Sequence, residues 1–291
     1  ARAIRILVLL GPISVGCAGA ILANEWIPMP STTLVAVIRS LAIVAISTVV
    51  VWAVDKFARS QPNAPSPQEI RALTEIAIGR AYGDEDLGKY LAGAPPILLA
   101  TFFFTIWTGP LLIALMGFDS VSGELQHRAV RFLTVRLRRE SIYVGKVAGL
   151  FTTMVGVGLL MNVVIWCVSA ARGDASFGDC LSWGVRFWVL SLPITLAWSS
   201  IAAFAGSLLR TPVLSLMVIF AAFFGLWMLN LVGHVGAEGV HTYLRYVYPN
   251  TFDGFLLSPR PARAIEGLAA CLGFVVVSSV AGAWTFAKRD V

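Results

Sequence analysis

Residues 95–117 read PPILLATFFFTIWTGPLLIALMG and contain no charged side chain. No polar stripe recurs at helical spacing, so the segment has no face suited to water. About 20 residues of α-helix rise about 30 Å, which is the thickness of the hydrocarbon core of a bilayer. Inside a bilayer the backbone must satisfy its own hydrogen bonds, and a helix does this within one segment. The stretch therefore predicts a membrane-spanning helix.

The same pattern recurs along the chain, in which 57% of the residues are hydrophobic and 13% are charged. An ordinary soluble domain carries about a quarter charged residues. Further apolar blocks occupy residues 6–23, 34–54, 147–170, 187–208, 213–233 and 268–287. We therefore expect an all-α integral membrane protein with one transmembrane domain over residues 1–291 and six core transmembrane helices. An extra N-terminal hydrophobic helix over residues 4–24 is interfacial, re-entrant or a seventh span, because Gly11 and Pro12 interrupt it early.

The distribution of basic residues predicts how the spans are oriented. The connection 118–146 is the most basic stretch of the chain, and the positive-inside rule places it in the cytoplasm. Alternation of the spans then places the connections 55–94 and 234–263 on the outer face. Lys56 and Arg59 conflict with the first of these placements, and that conflict stays open. Apolar residues at helical spacing within 68–82 predict a short amphipathic helix that lies on the outer membrane surface or packs on the spans.

Several classes of function find no support in the sequence. The glycines of residues 11–18 have the spacing of a phosphate-binding loop but lack its Lys and its Ser/Thr, so we expect no nucleotide hydrolysis on this chain. The four cysteines show no metal-site spacing, and no hydrolase motif occurs. The net charge of +6 comes from residues beside the spans, which fits membrane orientation and not a nucleic-acid partner. Carboxylates for ion coupling are scarce within the blocks, which disfavours secondary transport.

The connection 118–146 carries acidic and apolar residues that a simple charge anchor does not need. Asp119, Gly123 and Glu124 stand directly at the end of a span, and Val130 and Leu133 begin an apolar ridge among the arginines. A helix-competent surface of this kind suits a partner protein or anionic lipid headgroups.

Gly117, Asp119 and Glu124, followed by the pair Gly145-Lys146 at the opening of the next span, resemble the permeases of the type-2 ABC exporter family. In that family a span ends in Gly-x-Asp-x-x-x-x-Glu, continues into a coupling helix and leads to a Gly-Lys pair. The end of this chain, Phe286-Ala-Lys-Arg-Asp-Val291, is similar to the family's Phe-x-x-Arg-Asp-aliphatic terminus. The resemblance extends from about residue 95 to the end of the chain.

The resemblance implies the transmembrane permease subunit of an ATP-driven exporter in the cytoplasmic (inner) membrane. A second permease copy, identical or a paralogue, would pair with it. Two separate ABC ATPase subunits would carry ATP and Mg²⁺, so this chain would hold no cofactor and would not itself be an enzyme. The residues implied for contact with the ATPase are Asp119, Glu124, Arg128, Arg131, Leu133, Arg136, Arg139 and Lys146.

The connection 234–263 resembles the outer gate of that family, which lies between the last two spans. The residues implied for the gate are Tyr246, Tyr248, Pro249, Phe252 and Phe255, and an interfacial aromatic loop is the open alternative. The scarcity of charge in the spans suits a hydrophobic or amphipathic substrate and contact with membrane lipid. The competing function is a non-transporting permease-like subunit that transmits ATPase motion to an outer-face envelope partner. A membrane-embedded enzyme ranks third.

Overall fold

The computed structural model describes Val49 and residues 66–126, 139–173, 175–209, 211–235, 241–244 and 246–288. Within these ranges every regular element is a helix, and no strand occurs. The predicted N-terminal hydrophobic helix lies outside the described residues, and so does the predicted span 34–54 apart from Val49.

The described elements follow one another in a simple order. They are α1 (Pro67–Tyr82), α2 (Glu85–Ala92), α3 (Pro96–Gln126), α4 (Arg139–Arg172), α5 (Phe177–Leu208), α6 (Pro212–Val235), α7 (His241–Leu244), a 3₁₀ turn (Pro249–Phe252), α8 (Asp253–Leu257) and α9 (Pro261–Ala287). Among the described residues five helices, α3, α4, α5, α6 and α9, are long and apolar enough to cross a membrane. They coincide with the last five apolar blocks, so the prediction of a helical, multi-pass membrane protein is confirmed for this part of the chain.

The short helix expected before the third block exists as α1, and its first turn explains why it begins there. Ser66 is the N-cap: its hydroxyl accepts a hydrogen bond from the Glu69 backbone N–H at 3.3 Å, and the Glu69 carboxylate accepts one from the Ser66 backbone N–H at 2.7 Å. These two bonds satisfy helix-terminal donors reciprocally. Hydrogen bonds to the Glu69 carboxylate, first from the Ser66 backbone N–H and then from the Ser66 side chain, lower the pKa of Glu69, because they stabilise its ionised form.

Helices α1 and α2 form a tight pair. Gly83 ends α1 with φ +64°, a left-handed conformation that glycine adopts at little cost, and Asp84 caps α2. The backbones then touch at Gly88, where an added Cβ would lie 2.6 Å from the Glu75 carbonyl oxygen. Of the apolar residues whose spacing predicted this helix, Leu73 and Ile76 are more than half exposed and Ile78 is buried. Whether α1 lies on a membrane surface stays a prediction.

The described residues form two compact units. The first unit contains residues 66–105, 156–173 and 175–189. A row of aromatic rings runs through this unit from α2 across α5 to α3: ring centroids are 5.1 Å apart for Tyr90 and Trp183, 5.5 Å for Trp183 and Phe187, and 5.3 Å for Phe187 and Phe102. Helices α4 and α5 approach closely where the Trp166 indole covers Gly184. Glycine at such positions lets helix backbones come together in a membrane protein.

The second unit takes residues 106–126, 139–155, 190–209, 211–235, 241–244 and 246–288. Its core includes Ile142 and Tyr143 of α4, Ala203 of α5 and Phe286 of α9. Two further contacts are close. Gly117 of α3 receives the Leu150 side chain of α4, and the hydroxyl of Ser278 in α9 donates to that of Ser200 in α5 at 2.7 Å.

Candidate functional site

The chain between α6 and α9 contains the most elaborate polar arrangement of the second unit. Residues 246–258, which we call the aromatic connection, include the 3₁₀ turn and α8. Surface loops are normally exposed, but here Tyr248 is only 2% exposed, Asn250 4% and Asp253 7%. The aromatic connection is therefore packed into protein.

Ring contacts show how far the aromatic connection reaches along the helices. The Tyr248 ring packs on Phe223 of α6 and on Trp198 of α5, with centroid separations of 6.1 and 5.6 Å, and Phe252 packs on Phe274 of α9 at 6.2 Å. Phe223 lies ten residues before Gly233, the end of the apolar part of α6. At 1.5 Å per residue the contact lies about 15 Å from that end. The aromatic connection therefore folds back beside the helices and does not stop at their ends.

Local hydrogen bonds explain how an irregular backbone is tolerated there. Non-helical backbone at membrane depth persists only where protein buries it and satisfies its polar groups. The Thr251 N–H donates to the Tyr248 carbonyl at 3.0 Å, and the Ser258 N–H ends α8 by donating to the Phe255 carbonyl at 3.2 Å. Gly267 allows α9 to lie against α8, since an added Cβ would be 2.9 Å from the Phe255 Cβ.

Asn250 is the polar centre of the aromatic connection. Its Oδ1 accepts a hydrogen bond from Trp198 Nε1 at 2.7 Å, and its Nδ2 donates to the Ile106 carbonyl of α3 at 2.9 Å and to Tyr248 Oη at 3.2 Å. One buried side chain thus joins α3, α5 and the aromatic connection. A second amide, Asn230 of α6, donates to Thr251 Oγ1 at 2.8 Å.

The electrostatic environment keeps the Tyr248 phenol neutral. Burial raises its pKa above the ordinary value, and the nearby Asp253 carboxylate raises it further. Asp253 itself is buried and accepts a hydrogen bond from the Gly254 N–H at 2.6 Å. Tyr248 Oη accepts a hydrogen bond from the Asn250 amide at 3.2 Å.

The five residues predicted for an outer gate lie in this connection. Tyr246, Phe252 and Phe255 form one aromatic cluster, with centroids 5.8 to 6.5 Å apart, while Tyr248 belongs to a second cluster with Trp198. Pro249 is buried at the start of the 3₁₀ turn. The five side chains thus lie in one segment of the structure. Their role as a gate stays a prediction.

The residues predicted for ATPase contact are described only in part. Asp119 and Glu124 fall in the last turns of α3, which continues without a break from Pro96 to Gln126. Arg139 opens α4, and Lys146 follows two turns later, partly buried. The remaining predicted residues, Arg128, Arg131, Leu133 and Arg136, lie outside the described residues.

The sequence interpretation missed three polar residues of this arrangement: Asn250 within the aromatic connection, and its neighbours Asn230 of α6 and Trp198 of α5. Trp198 offered a usable signal, because a Trp in the middle of an apolar block needs an acceptor for its indole N–H. Asn230 similarly interrupts an apolar block with an amide that must find a partner. In the described ranges no group of three or more His, Cys, Asp or Glu side chains is placed to hold a metal ion.

Comparison of the sequence with protein-family models and with curated proteins finds no match in either.

Proposed function

We propose that this chain is the transmembrane permease subunit of an ATP-driven ABC exporter, which moves a hydrophobic or amphipathic substrate outward across the cytoplasmic membrane. The observation that carries the proposal is the continuity of α3. Its apolar part ends near Phe118, and the same helix goes on to Gln126 through Asp119 and Glu124. A helix that continues beyond its apolar span and carries charged residues is suited to pass a force from a partner into the span.

In the proposed mechanism the ATP and Mg²⁺ are bound by separate ABC ATPase subunits. These subunits grip the connection 118–146, and a second permease copy completes the pathway. ATPase closure favours one arrangement of the spans over the other only if the contacts at this connection differ between the two ATPase states. The arginine-rich sequence between α3 and α4 supplies charged side chains for such contacts.

The aromatic connection supports the proposal from the opposite end of the helices. Its segments bind to α3, α5, α6 and α9 through a few specific contacts, so a change in helix packing changes its surroundings directly.

The decisive experiment is co-purification in mild detergent with ABC ATPase subunits from the same source. The test variants are Glu124→Ala and the double variant Arg136→Ala, Arg139→Ala. The matched controls are Glu85→Ala and the double variant Arg71→Ala, Arg80→Ala, which change the same residue types on the exposed surfaces of α2 and α1.

We expect the wild type and both controls to retain an ATPase that the test variants lose. All variants must elute as the wild type does in size-exclusion chromatography, which shows that they are folded. If the folded wild type retains no ATPase, or if the controls lose it as readily as the test variants, the proposed function is wrong.

A further inference from the structure

A proline in the middle of α3 leaves one backbone carbonyl without its usual donor. Pro110 lies inside the helix and has no N–H, so the carbonyl of Ile106, four residues earlier, lacks its normal intrahelical hydrogen bond. Both residues are buried, and α3 here belongs to an apolar span. A freed carbonyl in such surroundings requires another donor.

That donor is the side chain of Asn250. Its Nδ2 lies 2.9 Å from the Ile106 oxygen, although 144 positions separate the two residues along the chain. The amide cannot simply rotate away, because its Oδ1 accepts the Trp198 indole N–H at 2.7 Å and its Nδ2 also donates to Tyr248. The aromatic connection is therefore tied to α3 at the proline.

This bond links any bending of α3 at Pro110 to the position of the aromatic connection. A proline is the usual site of a helix bend, and the helix stays regular on both sides of it. If α3 changes its bend, the Ile106 carbonyl moves relative to Asn250, and either the amide follows or the bond breaks.

The length of α3 beyond the proline amplifies such a change. From Pro110 to Glu124 the helix rises about 21 Å at 1.5 Å per residue, so a change of about 10° moves the far end by about 4 Å. The far end is the segment proposed above to contact the ATPase, so the physiological meaning of the link rests on the proposed function.

We propose that Asn250 is a positioning residue that couples bending of α3 at Pro110 to the aromatic connection. When its bond to Ile106 is made, the aromatic connection is held in the packed arrangement seen here. When the bond is released, α3 and the aromatic connection loosen together.

Hydrogen–deuterium exchange of the purified chain in lipid nanodiscs tests this link without any ATPase or substrate. Asn250→Leu removes the donor to Ile106 together with the bonds to Trp198 and Tyr248. We expect exchange to accelerate by about tenfold or more both in residues 249–257 and in residues 107–117 of α3, since these buried hydrogen bonds are lost together. Asn230→Leu is the matched control, because it removes another amide that donates to the aromatic connection, at Thr251 Oγ1.

Pro110→Ala provides an independent second arm. The alanine N–H can bond the Ile106 carbonyl within the helix, so it competes with the Asn250 amide for that oxygen and weakens the bond between them. We expect faster exchange in residues 249–257, although the substitution lies in α3.

The proposal is overturned if Asn250→Leu accelerates exchange in the aromatic connection alone, as Asn230→Leu should. It is equally overturned if Pro110→Ala leaves residues 249–257 unchanged. Because neither arm involves an ATPase, failure of this link and failure of the proposed function are separate outcomes.

Discussion

Replacing Gly282 of α9 by alanine should weaken the packing of α9 on α4. The added Cβ would collide with the hydroxyl and Cζ of Tyr143, and it would lie 2.8 Å from Cε2 of the same ring. Tyr143 is 1% exposed and packs among Ile142, Val147 and Phe286. The ring therefore has little room to move, and the backbones of the two helices must separate.

The size of the effect follows from two opposed contributions. Overpacking a close contact costs about 1–3 kcal/mol. Alanine also favours a helix over glycine by up to about 1 kcal/mol. Gly273→Ala isolates the second contribution, because Gly273 lies in the same helix and an added Cβ there meets nothing within 4 Å. We expect Gly282→Ala to be less stable than Gly273→Ala by about 1–3 kcal/mol.

The assay is reversible unfolding by sodium dodecyl sulfate in mixed micelles, followed by circular dichroism. A double-mutant cycle with Tyr143→Phe identifies the contact responsible. The Tyr143 hydroxyl has no hydrogen-bond partner among the described residues, so its removal alone should cost little. In the Tyr143→Phe background the penalty of Gly282→Ala should shrink, because the closest atom is gone.

Equal stability of Gly282→Ala and Gly273→Ala would refute this account of the α4–α9 contact. A penalty that is unchanged by Tyr143→Phe would locate the strain elsewhere on the ring or on the helix backbone.

Three other substitutions follow from the same contacts. Gly184→Ala should destabilise the first unit by about 1–3 kcal/mol in the same unfolding assay, because its Cβ would strike the Trp166 indole, whereas Gly156→Ala, in open space, should not. Ser278→Ala removes an interhelical hydrogen bond and should cost about 0.6–2 kcal/mol, measured as a shift of the same midpoint. Because burial raises the pKa of Tyr248, its phenol should stay neutral in the folded protein at a pH at which an unfolded tyrosine is ionised. The wild type and Tyr248→Phe should then show the same tyrosinate absorbance when folded and differ by one tyrosine when unfolded. The neutral phenol stabilises the fold below about pH 10, and this contribution should fall as the pH rises further.

The apolar blocks predicted α3, α4, α5, α6 and α9, but they underestimated the length of some of these helices. Helix α4 begins at Arg139, well before its apolar block, and α5 begins at Phe177 in the same way. Hydropathy measures how much of a segment suits lipid, and a helix can continue beyond that limit into water or headgroups. An apolar block therefore predicts which part of a helix crosses the membrane, but it does not predict where the whole helix begins and ends.

The contacts of the aromatic connection were beyond prediction for a different physical reason. Its aromatic residues are visible in the sequence, but the bond between Asn250 and Ile106 joins residues far apart in the chain. No periodicity relates them, because the bond depends on how the helices pack. The sequence does show that Pro110 lacks an N–H. This predicts that some distant donor must satisfy the carbonyl four residues earlier.

The second unit is joined by small-residue contacts and a few hydrogen bonds between helices. Lipid removes most of the hydrophobic drive for helices to associate, so such contacts decide which arrangement of helices is stable. Each interhelical hydrogen bond contributes only about 0.6–2 kcal/mol, and Asn250 and Ser278 hold theirs at different places along the helices. If one of these side chains exchanges its hydrogen-bond partner for another, the helix packing changes at a small cost in free energy. A bundle built this way can be shifted between two arrangements by a partner that distinguishes them by a few kcal/mol, which is the property that the proposed permease requires of its helices.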